Sequence, residues 1–141
     1  MALKVSKVEL WSATIDDRAG GAAAKIEPLA KTGANFEFVF ARRTPEQPGM
    51  GVVFITPVKG AKVTQAAQAA GFGKSITMHS VKIEGTDKPG RTAKVMRALA
   101  NAGLSFRAFS ASAIGKKFVS FVALDSAEDA ARATSLLRRI D

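Results

Sequence analysis

The 141 residues hold 47% apolar and 23% charged side chains and no cysteine, a balance that excludes a disordered chain and rules out disulfides and thiolate chemistry. Twenty-one Lys and Arg against twelve Asp and Glu give a net charge of +9; the basic residues form no run longer than a pair and are not interleaved with aromatics, so solubility explains the charge better than nucleic-acid binding does. No apolar run approaches the length of a membrane span and the first residues lack the apolar core of a signal peptide, so a soluble, cytoplasmic protein is expected.

Residues 4–16 read as strand with a change of parity, Val8 and Leu10 on one face and then Trp11, Ala13 and Ile15 on the other. One regular strand cannot do this, so a break is expected near residue 10. Asp17-Arg18-Ala19-Gly20-Gly21-Ala22 forms a turn. Ala22 to Lys31 follows as a helix with Ile26, Leu29 and Ala30 inward and Gly33 as its stop. Pro28 predicts that this helix is kinked or starts late, because proline clashes with the preceding turn and donates no hydrogen bond. Asn35 to Arg43 alternates Phe36, Phe38 and Phe40 against its other residues, the period of a half-buried strand, and Val52 to Thr56 is its hairpin partner. Lys59 to Ala70 is an alanine-rich helix with Val63, Ala66, Ala67 and Ala70 inward, stopped by Gly71.

The same series then starts again. Asp87-Lys88-Pro89-Gly90-Arg91-Thr92 lies seventy residues after the first turn, and at that offset Leu29-Ala30 meets Leu99-Ala100, Gly33 meets Gly103, Asn35 meets Ser105 and Phe36 meets Phe106. Beyond the hairpin the offset becomes 67, with Val52 on Val119 and Phe54 on Phe121, because the loop Thr44 to Met50 is three residues longer than its counterpart around Ile114-Gly115-Lys116-Lys117. The second copy has its own parity change, Ile76 and Met78 even, Val81 and Ile83 odd. Its helix over Thr92 to Ala102 carries Val95, Met96 and Leu99 inward. Leu104 to Ser112 and Phe118 to Leu124 are its hairpin. Ser126 to Arg138 is the last helix, with Ser126 as N-cap, Asp129 in the capping-box position and Glu128 paired to Arg132.

Each copy is strand, helix, strand, strand, helix, the split βαβ order of a ferredoxin-like fold, and the second copy lacks its last strand. Two units are expected, 1–79 and 80–141, with Lys4 to Leu10 crossing over to complete the second sheet and Ser75 to His79 closing the first.

An acid, then proline and glycine after a strand (Asp87, Pro89, Gly90), and a helix stopped by Gly103 before Leu104 and Ser105, resemble the ACT domain, a small ligand-binding module of amino-acid metabolism. In the first copy Asp17, Gly20, Gly33, Ala34 and Asn35 fit, while Ala19 departs from the proline. The resemblance runs over nearly the whole chain. It implies an α+β fold of two ferredoxin-like (βαββαβ) ACT-type units, with antiparallel sheets and helices on one face of each. It further implies a regulatory or sensor protein that binds an amino acid or similar small ligand at the interface of the units, and that associates as a homodimer or with a metabolic enzyme. The ligand-binding residues expected are Asp87, Lys88, Pro89, Gly90, Arg91, Thr92 and Ser105, with Asp17, Arg18, Gly20, Gly21 and Asn35.

The chemistry of the turn supports this independently of the family. A glycine at a helix start lets backbone N–H groups approach a ligand, and the positive helix end favours a carboxylate. A nearby acid can meet the ammonium of the same ligand. No catalytic residue, metal site or cofactor is expected: His79 is the single histidine, and neither a P-loop nor a dinucleotide-binding glycine pattern occurs. The rival reading is RNA binding, since RNA-recognition motifs share this element order and Gly115 to Phe121 is similar to part of their base-stacking strand, with Phe118 and Phe121 as the aromatics.

Overall fold

A computed structural model describes residues 2–140. In chain order the elements are β1 (Lys4–Val8), β2 (Trp11–Asp16), α1 (Gly21–Ala30), β3 (Phe38–Arg43), β4 (Met50–Thr56), α2 (Ala61–Ala69), β5 (Gly73–Lys74), β6 (His79–Thr86), α3 (Arg91–Asn101), β7 (Phe106–Ile114), β8 (Lys117–Leu124) and α4 (Ala127–Leu137). They form two antiparallel four-stranded sheets, β3-β4-β2-β5 and β7-β8-β6-β1. The fold is α+β and built as two ferredoxin-like units. Packing divides it into residues 9–75 and, as the other unit, the residues up to Val8 together with those from Ile76 on.

In the 9–75 unit the odd positions Trp11, Ala13 and Ile15 of β2 and Val53 and Ile55 of β4 point toward the helices, where Leu29 and Ala67 are fully buried and Phe72 closes the cluster. Ile26 packs against this core, but Ala30 is exposed. Pro28 lies inside α1 without breaking it. Its ring and the Ala24 carbonyl deprived of a donor are on the exposed side of the helix, where water replaces the lost bond. The sheet is closed by Gly73 and Lys74 pairing with Ser12 and Trp11. This corrects the expected closing segment: Ser75 to His79 is not that strand, Ile76 is 86% exposed, and His79 opens β6 of the other sheet.

In the other unit Val81, Ile83, Phe118, Val122 and Leu124 face Val95, Leu99, Ala130, Ala133 and Leu137. Met96, expected on the inward stripe of α3, is 38% exposed, because Val95 and Leu99, one turn apart, already fill the contact. Ser126 caps α4 by accepting from the Asp129 N–H at 3.0 Å. Arg132 does not reach for Glu128; it donates to the Ala102 carbonyl at 2.8 Å and lies 3.9 Å from Asp129.

β1 occupies beside β6 the place that β5 takes beside β2, with Lys4 to Val8 opposite Glu84 to Ser80. The side chains it buries are Leu3 and Val5, at 3% and 2% exposure. Val8 of the expected even-numbered face is half-buried, and Leu10 lies past the strand's end. Both parities of this segment carry apolar residues, and the helices select the odd one.

On the face of this sheet away from the helices, the Glu84 carboxylate accepts from Lys117 at 3.0 Å, with Lys82 at 3.7 Å and Lys4 opposite it in register. The Lys117 hydrogen bond, helped by the charges of Lys82 and Lys4 and opposed by burial, holds Glu84 below the usual carboxylate range. A depressed folded-state value stabilises the native state above the unfolded value, about 4.3, and that contribution disappears as pH falls through the folded value. Glu84→Gln is therefore expected to cost about 1–2 kcal/mol near neutral pH and less near pH 3. Urea midpoints of the two proteins at both pH values read this directly; a gap that persists undiminished in acid contradicts it.

Candidate functional site

The two turns are built alike. Each follows the C-terminal end of a sheet strand and leads into a helix through a glycine in the left-handed region, Gly20 (φ 87°) before α1 and Gly90 (φ 82°) before α3. A side chain with a Cβ is strained in that conformation, so glycine is what lets the chain swing from strand to helix here. In both copies the acid's backbone N–H is tied to the tip of the following hairpin, Asp17 to the Gly49 carbonyl at 2.9 Å and Asp87 to the Lys116 carbonyl at 2.8 Å. Neither helix has a side-chain cap or an acid in its first turn. The N–H of the first residue of each helix donates to a backbone carbonyl of its turn, Gly21 to Arg18 at 3.0 Å and Arg91 to Lys88 at 3.1 Å, and among the described residues no side chain caps the N–H groups that follow.

The copies then diverge. The Asp17 carboxylate accepts from Nε of Arg43 at the end of β3, an interaction that also raises the pKa of Arg43 above its ordinary value. Arg18 turns to Asp16 at 3.5 Å. Gly21 is buried, and a Cβ there would lie 2.1 Å from the Asp16 carbonyl oxygen, so the first turn closes directly on backbone. At the equivalent place the second copy has Arg91, 4% exposed, whose Nε and Nη2 donate to the Thr86 carbonyl at 3.2 and 2.9 Å. Arg91 is thus a buried brace under the turn and not an exposed ligand-facing group. Its fixed positive charge adds to that of the α3 N-terminus.

Asp87, Lys88, Pro89 and Gly90 are exposed and Thr92 is half-buried. Among the described residues Asp87 has no ion pair, because β7 carries no arginine where β3 carries Arg43. Asn35 and Ser105 are not brought to their turns. Each lies beyond the far end of the intervening helix, a separation of about 15 Å for ten or eleven residues. The sequence reading missed Arg43 and the hairpin tips at Gly49 and Lys116. The three-residue slip in the repeat marks the longer first hairpin, but not its contact with Asp17.

Phe118 lies in the helix-side core at 3% exposure and Phe121 is 8% exposed on the opposite face of β8. Neither offers a ring face to a base, so the expectation of a base-stacking strand there is corrected. The described residues also hold no group of three or more His, Cys, Asp or Glu placed to bind a metal ion, and no helix among them is long and apolar enough to cross a membrane.

No protein-family model matches the chain, and no curated protein matches it. Solved structures do. Protein BT0572 from Bacteroides thetaiotaomicron superposes with a TM-score of 0.75 at 17% identity, over 96% of this chain and 99% of that one. The ligand-free regulatory subunit of aspartate kinase from Thermus thermophilus gives 0.62 at 17% identity, over 97% of each chain. Aspartate kinase from Clostridium acetobutylicum gives 0.58 at 14% identity, over 94% of this chain but 33% of that one. At these identities the likeness is one of fold, two ferredoxin-like α+β units in one chain.

Proposed function

We propose that this is a regulatory protein that binds a free amino acid or a similar small zwitterion, with the Asp87–Thr92 turn as its receiving site. The observation that carries the reading is the asymmetry between the turns. Both present a helix start without a side-chain cap, but among the described residues the exposed Asp87 carboxylate has no ion pair, whereas Asp17 is held by Arg43. A ligand carboxylate placed at the α3 N-terminus meets backbone N–H groups above the buried Arg91 charge. The ligand ammonium meets Asp87. Lys88 and Thr92 flank that position. The Asp17 turn, with Arg18, Gly20 and Gly21, is the closed version of the same geometry. The fold shared with a regulatory subunit of aspartate kinase supports a role exerted on a partner rather than by catalysis, through a second copy or a metabolic enzyme.

A thermal-shift screen with the twenty amino acids tests the reading. A ligand at one hundred times its Kd stabilises the native state by about 2.7 kcal/mol. Asp87→Asn, at an exposed position, is expected to fold like the parent and lose most of that shift. Gly90→Val is expected to abolish it by covering the N–H groups; its Cβ meets nothing in the free protein, so the strain is confined to the backbone. Absence of any shift, or an unchanged shift in both variants, sinks the assignment.

A further inference from the structure

Thirteen of the twenty-one Lys and Arg belong to the unit outside residues 9–75, with only six of the twelve acids. In sequence order these bases form nothing longer than a pair, but the fold gathers six of them at one end of that unit. Lys4 begins β1 opposite Glu84, and Lys117 begins β8 opposite Thr86, the last residue of β6. The Lys116 carbonyl accepts from the Asp87 N–H, which seats the hairpin tip against the turn that carries Lys88. The end of α4 arrives there too, because the Ile140 carbonyl accepts from the Leu3 N–H, and it adds Arg138 and Arg139. All six side chains are exposed, and the buried Arg91 adds its charge beneath them. Among the described residues only Glu84 and Asp87 oppose them, and Glu84 is already drawn to Lys117. The fold itself does not require this. At the matching turn and hairpin of residues 9–75, Arg18 meets Asp16, Arg43 holds Asp17, and Glu46 balances Arg42.

We infer that this basic end binds the phosphate backbone of a double-stranded nucleic acid, without reading its bases. The inference goes beyond the amino-acid reading and does not depend on it. Lys4 and Lys117 lie on the two strands that flank β6, so their backbones are about 10 Å apart. Charges spread over such a distance do not converge on one compact anion. They suit a partner whose own charge is spread, and a duplex carries one negative charge per about 1.7 Å of its axis. The rest of the surface separates this partner from an acidic protein. A protein interface is built around a centre depleted of charge, whereas here Ile114 is the one large apolar side chain exposed among the described residues. Interfaces with nucleic acid are instead polar and strongly positive. No aromatic ring is exposed at this end to stack on a base, as single-strand binding requires, so the duplex is the form that fits.

The test uses the full chain, with no amino acid present, and a fluorescein-labelled DNA duplex of about twenty base pairs, followed by anisotropy between about 50 and 200 mM salt. Binding is expected in the micromolar range at the low-salt end and equal for two unrelated sequences. The logarithm of the binding constant is expected to fall against the logarithm of salt with a slope of about −3 to −5, as counterions are released. Lys116→Gln combined with Arg139→Gln, both at exposed positions, is expected to keep its circular dichroism and melting behaviour and to make that slope shallower by about two. Lys59→Gln combined with Lys62→Gln, equally exposed in the 9–75 unit, is expected to leave it unchanged. No binding at the low-salt end, the parent's slope in the folded Lys116→Gln, Arg139→Gln protein, or an equal change from the Lys59 and Lys62 pair overturns the proposal. So does tighter binding of the single strand. Displacement of the duplex by poly-L-glutamate as readily as by unlabelled duplex of equal charge also overturns it, in favour of an acidic protein surface. Should the double variant fail to fold, Lys116→Gln alone decides, with an expected change in slope of about one.

Discussion

Removal of residues 1–8 is expected to unfold the unit that begins at Ile76 while leaving residues 9–75 folded. The loss comprises the whole of β1, which pairs with β6 over five residues, and two core side chains, Leu3 and Val5. It also strips the Val5 carbonyl that Arg138 binds through Nε and Nη2 at 3.2 and 2.9 Å, and the Leu3 N–H that meets the Ile140 carbonyl. Two fully buried aliphatic side chains are worth about 2–3 kcal/mol each, and the lost hydrogen bonds add about 1 kcal/mol apiece, on the order of the entire stability of a small domain. Amide exchange in Leu104 to Leu124 should accelerate to near the unfolded rate, with protection in residues 11–58 retained. Faster exchange confined to 11–58 would contradict the account.

Gly21→Ala is expected to damage the other unit by about 3 kcal/mol or more. The added methyl would lie 2.1 Å from the Asp16 oxygen and 3.1 Å from its carbonyl carbon, both backbone atoms that cannot swing aside as a side-chain tip would. Trp11, the single tryptophan and 94% shielded in this unit's core, reports its unfolding by fluorescence. The repeat supplies the contrast. At the equivalent place Arg91 carries a full side chain, and its guanidinium spans from the helix to the Thr86 carbonyl. A Gly21→Ala protein within 0.5 kcal/mol of the parent, about the spread of ordinary surface substitutions, would mean that the first turn opens as readily as the second is braced.

The internal repeat, the element order and the α+β fold were legible because their signals are local: glycines at helix starts and stops, Ser126 before α4, and like residues recurring at offsets of seventy and sixty-seven. What the sequence concealed depends on choices between local equals. Leu3 and Val5 compete with Val8 and Leu10 for the inward face of one segment, and only the helices opposite decide. Gly73-Lys74 has no strand character of its own and pairs because Trp11 and Ser12 lie beside it. Within the site, the turn glycines were readable, but Arg91 looked like an exposed cation until its burial beneath Thr86 was seen. The pairing of Asp17 with Arg43 spans twenty-six residues of sequence and leaves no periodic trace.

The place of β1 also sets an order of events during synthesis. Residues 9–75 form a contiguous stretch whose contacts are complete once it has left the ribosome. β1 emerges before it, yet its partner β6 begins about seventy residues after β1 ends. At cellular elongation rates that interval is on the order of ten seconds. Throughout it the amphipathic Leu3-Lys4-Val5 segment is a strand without a sheet, available to a chaperone or to another nascent chain. Helix α4, made later than β6 and supplying Arg138 to the Val5 carbonyl, is what finally locks β1 in place.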